Sequence, residues 1–136
     1  MCGIVGVLRS DGLRVERDLV ESMAGLVAHR GPDGAGAWTN NQIGLGHRRL
    51  AIIDTSDAAA QPMKSYDDRF VLTYNGEIYN FRELRRELSD RGAQFRTNSD
   101  TEVVLHALVR WGPEAVRRFK SHPKSELRVF LVDSTM

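Results

Sequence analysis

Cysteine is nearly missing from this chain. One cysteine stands among 136 residues, so no disulfide forms within it, and no Cys/His spacing resembles a zinc site. Neither sign of charge dominates. Lys plus Arg number 19 against 18 Asp plus Glu, which removes any general electrostatic case for nucleic acid or a membrane surface. Long apolar runs are missing too: Arg9 and Asp11 cut the opening apolar stretch too early for a signal peptide or a membrane span. There is no internal repeat and no low-complexity tract. What remains is 41% hydrophobic and 27% charged, enough for one soluble domain with a real core. The expected location is the cytoplasm, whose reducing conditions keep a lone thiol free.

That lone cysteine is at position 2, in Met1-Cys2-Gly3-Ile4-Val5-Gly6. Once the initiator methionine is removed, Cys2 carries both a thiol and a free α-amine. Such an amine titrates near ~7.7–8 and exchanges a proton with a thiol or a bound water at neutral pH. Nucleophile and base then sit on one residue, and no histidine partner is required.

Apolar spacing and stop signals predict the remaining architecture. Cys2 to Leu8 reads as a strand. Leu19, Met23, Leu26 and Val27 fall at helical spacing between Glu16 and His29, and Gly31-Pro32 ends that helix. Gln42 to Ile53 and Phe70 to Tyr74 read as strands. Asn80 with Glu83 three residues later has the form of a capping box, opening a helix that reaches Gly92. A strand near Phe95 precedes a second capped helix, Asp100 to Trp111, with Val104, Leu105, Leu108 and Trp111 as its buried stripe. Tyr79 is expected in the core. Strands in close succession favour antiparallel pairing, so the expected class is α+β.

Four further segments bear chemistry. His29-Arg30-Gly31-Pro32-Asp33 is a helix end followed by a turn, or part of a site. In His47-Arg48-Arg49-Leu50-Ala51-Ile52-Ile53-Asp54, an arginine at a strand entrance offers a planar fork for a carboxylate. His47 is read as structural, because an N-terminal amine makes a histidine base unnecessary. Tyr74-Asn75-Gly76-Glu77-Ile78-Tyr79-Asn80 has the form of a hairpin turn, and in the same geometry an Asn amide and a Gly N–H point together at an oxyanion. Asn98-Ser99-Asp100-Thr101-Glu102 supplies a helix cap, or a carboxylate for a substrate ammonium.

Taken in order, these segments from Cys2 to about residue 119 closely resemble the glutaminase (class II glutamine amidotransferase) domain of glutamine-hydrolysing asparagine synthetases. Pro32 and the Leu50 to Asp54 segment look more like that branch than the aminosugar or purine branches. The resemblance implies an N-terminal nucleophile hydrolase fold, with two antiparallel β-sheets between helical layers. It implies hydrolysis of L-glutamine to glutamate and ammonia, with no metal or cofactor in this domain. Cys2 would attack the glutamine amide, and Asn75 and Gly76 would form the oxyanion hole. Arg49 would clasp the α-carboxylate, Glu77 and Asp100 the α-ammonium, and backbone near Ile52 and Ile53 would line the site. Arg30 would brace the active-site turn.

The resemblance stops near Phe119. Residues 120–136 do not match the strand expected there, and the family's synthetase domain, with its ATP and Mg, is expected to be absent from this chain. The expected organisation is therefore a partial amidotransferase domain over 1–119 and a divergent, solvated tail over 120–136. Truncation or frameshift, a fragment completed by a partner chain, or a stand-in strand at Leu127 to Val132 all fit that tail. An incomplete sheet edge would favour self-association or a synthetase-type partner. A glutamine-binding or partner-pairing fragment without turnover is the alternative to an active enzyme.

Overall fold

In a computed structural model the described residues form six strands and three α-helices. The structure describes residues 1–135, and Met136, the last residue of the expected tail, lies outside the described residues. Strands β1 (Gly3–Leu8), β2 (Gly34–Asn40) and β3 (Ile43–Arg49) make one antiparallel sheet in the order β1-β3-β2. Strands β4 (Met63–Lys64), β5 (Phe70–Asn75) and β6 (Arg128–Asp133) make a second, in the order β4-β5-β6. Helix α1 (Arg17–Leu26) packs on the first sheet, and α3 (Asp100–Trp111) packs on β5 with α2 (Phe81–Asp90) beside it. The sheets meet through contacts of β1 and β3 with β5. The expected α+β class and paired antiparallel sheets are thus present.

The main core lies between the second sheet and its helices. Leu72, Tyr74, Ile78, Leu88, Val103, Val104 and Ala107 are at most 2% exposed. Each fully buried aliphatic chain of this size contributes about 1.5–3 kcal/mol. Helix α3 is buried along most of its circumference, Val103 and Ala107 included, so its stripe is broader than expected. Its start is capped as predicted, with the Ser99 hydroxyl accepting the Thr101 N–H at 3.0 Å.

Several expectations are corrected. Strand β3 ends at Arg49 rather than Ile53, since the chain turns away there and leaves Ile52 68% exposed. Strand β2 lacks the β-branched run that marks a strand, and it arises by pairing along β3, Ala37 opposite Gly46. No strand forms at Phe95; its ring stacks instead with His106 and beneath Arg85. Tyr79 is 57% exposed rather than core, and Trp111 is half-buried under Arg118.

Asn80 precedes α2 but makes no side-chain cap. Its amide reaches across the fold, donating to the Arg118 carbonyl at 2.8 Å and accepting the Lys120 N–H at 2.9 Å. The Tyr79 N–H adds a 2.7 Å bond to the Lys120 carbonyl. The segment expected as a solvated tail is therefore fastened at its start. Further on, the apolar run pairs as β6 along β5, Val132 opposite Val71 and Leu131 opposite Leu72.

Candidate active site

Six separate stretches of the chain line one cavity of ≈ 170 Å³. Cys2, Arg49, Ile52, Ile53, Asn75, Gly76, Glu77 and Asp100 all line it. This volume suits one small metabolite rather than a polymer. Strand β1 delivers Cys2, the end of β3 delivers Arg49, and the loop after it brings Ile52 and Ile53. The end of β5 brings Asn75 and Gly76, and the first turn of α3 brings Asp100.

The thiol is the centre of this arrangement. Leu50 N–H donates to Cys2 Sγ at 3.3 Å, and the Leu50 carbonyl lies 3.7 Å from the same sulfur. Leu50 is held by a network that the sequence segment around Gly31 and Asp33 supplies. Ala51 N–H donates to Asp33 Oδ2 at 2.9 Å, Asp33 N–H to the Arg49 carbonyl at 2.9 Å, and Arg48 Nε to the Gly31 carbonyl at 3.1 Å. Gly31 is packed so tightly that a Cβ would run into the Arg48 carbonyl and lie 2.6 Å from Arg49 N. Bracing of the turn therefore comes from Gly31 and Asp33. The Arg30 side chain, expected in that role, makes no hydrogen bond among the described residues.

Arg49 is a positioned cation. Its guanidinium donates to the Ser56 carbonyl at 2.7 Å and to the Asp54 carbonyl, which fixes its plane and curls the 50–56 loop round it. Asp54 completes that loop: the Ser56 hydroxyl and Asn98 N–H hold its carboxyl below the usual carboxylate range.

On the opposite wall, Asn75 is buried at 4% exposure, and no described residue hydrogen-bonds its side-chain amide. Gly76 follows with φ +157, where a Cβ would lie 2.5 Å from Leu127 Cδ2 and 3.0 Å from Tyr74 Oη. Only glycine fits. Asp100 is 6% exposed and accepts the Ile78 N–H at 3.3 Å. Burial pushes its pKa up to about 6; the Ile78 bond works against that rise, and the neighbouring Glu77 charge adds to it. Glu77 itself is exposed at the mouth.

Over residues 1–122 the chain matches the family described as "Glutamine amidotransferase domain". The chain belongs to this family. Asparagine synthetase (glutamine-hydrolyzing) 1 of Bacillus subtilis (strain 168) is 40% identical over 123 residues, covering 88% of this chain and 19% of that protein. Asparagine synthetase B (glutamine-hydrolyzing) of Escherichia coli (strain K12) is 41% identical over 116 residues, covering 84% of this chain and 20% of that protein. The amidotransferase chain thus spans about a fifth of the length of these relatives. Among solved structures, glutamine phosphoribosylpyrophosphate (PRPP) amidotransferase from B. subtilis, complexed with ADP and GMP, superposes with TM-score 0.76 at 20% identity. That superposition covers 96% of this chain and 35% of the other, and establishes the N-terminal nucleophile amidotransferase fold.

Some cavity residues of this amidotransferase domain carried no sequence signal. Gln61 accepts the Tyr74 N–H at 2.6 Å and donates to Thr101 Oγ1 at 3.2 Å, tying β5 to α3. His122 and Ser125 form part of the wall from the divergent segment. Tyr74 lines the cavity from below Gly76. His47, by contrast, points away from the cavity lining. It is 1% exposed, lies 3.2 Å from the Tyr74 carbonyl through Nε2, and burial lowers its pKa to about 4, so it stands neutral between the sheets. Among the described residues no cluster of His, Cys, Asp and Glu is arranged to hold a metal ion. No helix of the described residues is long and apolar enough to cross a membrane.

Proposed function

We propose that this chain hydrolyses L-glutamine to L-glutamate and ammonia, with Cys2 as nucleophile. The observation that carries the reading is the meeting of a thiol, an unengaged Asn amide, one oriented cation and two carboxylates round a single small cavity. Glutamine is a zwitterion with a side-chain amide, and each pole of it finds an opposite charge. Arg49 takes the α-carboxylate; Asp100 and Glu77 take the α-ammonium; backbone at Ile52 and Ile53 closes one side.

With Met1 removed, the Cys2 α-amine accepts the thiol proton through a water molecule. Sulfur bonds to the amide carbon, and the carbonyl oxygen becomes an oxyanion held by the Asn75 side chain and the Gly76 N–H. Collapse breaks the C–N bond, the protonated amine returns its proton to the leaving nitrogen, and ammonia departs. Water, deprotonated by the same amine, then cleaves the thioester to give glutamate and free thiol. These groups suffice, and no metal or cofactor takes part.

In this reading residues 1–119 carry the amidotransferase unit and residues 120–136 the divergent segment that closes its wall. Ammonia passes to a synthetase-type partner domain or chain of the asparagine-forming kind, in the cytoplasm. The first experiment is the intact mass of the purified chain before and after a diazo-ketone analogue of glutamine. Loss of Met1 and a single adduct, abolished in Cys2→Ala, is the expected result. An adduct that persists in Cys2→Ala, or a processed chain that takes none, overturns the nucleophile assignment.

A further inference from the structure

Tyr74 is a cavity residue to which the proposed reaction gives no task. The residue is 2% exposed, yet its hydroxyl has no hydrogen-bond partner among the described residues. A buried polar group in that state costs about 1–3 kcal/mol. The strand does not allow the ring to escape the cost by shifting. Its backbone N–H is bound to Gln61 Oε1 at 2.6 Å, and its carbonyl lies 3.2 Å from His47 Nε2. Gln61 in turn is held by Thr101 Oγ1 at 3.2 Å. The ring turns back beneath Gly76, where it lines the cavity alongside Asp100, Glu77 and Cys2.

Burial first, then the charges of Asp100 and Glu77, raise the phenol far above its ordinary range. The hydroxyl is therefore neutral at any working pH, and it offers one proton and two lone pairs. An α-ammonium has three N–H donors. Asp100 and Glu77 answer two of them unless one carboxylate accepts twice. The Tyr74 oxygen lies beside them with no partner at hydrogen-bond distance, and the Asp100 carboxyl is the acceptor its proton faces.

We infer that the Tyr74 hydroxyl is a recognition group for the α-ammonium of the amino-acid ligand, accepting the N–H that Asp100 and Glu77 leave unanswered. The inference rests on the glutamine reading above and adds a specificity determinant to it. It separates amino acids from carboxylic amides of the same length that lack the amino group.

Tyr74→Phe removes a buried hydroxyl with no partner at hydrogen-bond distance, so its thermal melt is expected at or above that of the unmodified chain. Two measurements then decide. By calorimetric titration, Tyr74→Phe should bind L-glutamine roughly tenfold more weakly or worse, the range for losing a hydrogen bond to a charged group. In turnover, KM for L-glutamine should rise by the same factor with kcat unchanged, while KM for 4-carbamoylbutanoate, which lacks the α-amine, should be the same in both proteins. Equal binding of L-glutamine by the two proteins overturns the inference alone. So does an equal loss toward both amides, which would mean that the hydroxyl only shapes the cavity. An unmodified chain that binds no L-glutamine overturns the glutamine reading and this inference with it.

Discussion

Asp100→Asn should make the protein more stable at neutral pH and worse at binding glutamine. The carboxyl is 6% exposed and its pKa stands at about 6 instead of 3.8. Between those two values the folded chain keeps a proton that the unfolded chain has released. Stability therefore falls as pH rises from 3.8 to about 6. At about 1.36 kcal/mol per pH unit, the full loss is about 3 kcal/mol. His47 works in the opposite sense over nearly the same window. Its pKa falls from 6.5 to about 4, so the unfolded chain holds the extra proton and stability rises with pH. The two oppose each other in the unmodified protein, and His106, whose pKa burial also lowers, adds to the His47 side.

Asp100→Asn keeps an oxygen to accept the Ile78 N–H and removes only the ionisation. The variant exposes the His47 contribution, so its stability should climb by about 3 kcal/mol over that window. Urea denaturation of both proteins at several pH values gives the comparison directly. The reasoning fails if the difference between them is the same at about pH 4 and about pH 8, or if the variant is the less stable at neutral pH. Under the glutamine reading only ionised Asp100 pairs with the ammonium. Affinity for L-glutamine should then rise with pH through about 6 in the unmodified chain and lose that dependence in the variant.

Two further substitutions test the scaffold. Gly31→Ala places a methyl group against the Arg48 and Arg49 backbone, and should cost about 3 kcal/mol in a urea titration because main chain cannot step aside. Glu102 is 3% exposed and accepts the N–H groups of Arg96 and Thr97 together with the Thr97 hydroxyl. Glu102→Ala should therefore cost about 3 kcal/mol, and a change within about 0.5 kcal/mol would show that water replaces the carboxylate.

What the sequence revealed of this fold depended on whether the cause was local. Strands β1 and β5 and all three helices rest on their own apolar spacing and stop signals, and they formed where that spacing placed them, apart from a residue or two at the ends. Strand β2 is Gly-Ala-Gly-Ala-Trp-Thr-Asn, and nothing in it favours extension except the neighbour it pairs with. The true end of β3 is set by Asp33 and by carbonyls that bind Arg49, neither of which is visible in the apolar run through Ile53. The site divides the same way. The eight residues expected there came from short motifs and from the family resemblance those motifs carry, and all eight line the cavity. Gln61, His122 and Ser125 joined through tertiary geometry alone, and Asn80 carried a correct helix-start pattern whose side chain was spent elsewhere.

The cavity is built from segments that lie far apart in the sequence. Cys2 sits on a strand that pairs with β3, Gly3 opposite Arg48, whereas Leu127 packs on Gly76 and β6 pairs with β5, Asn75 opposite Arg128. In a polypeptide made from its amino end, the segment carrying Cys2 leaves the ribosome well before the segment carrying Leu127 and β6. The first sheet can zip up early from neighbours in sequence, but the second must close a long loop before it gains anything. Until β6 docks, the wall where Leu127 packs on Gly76 is missing, and the cavity that holds Cys2 stands open on that side.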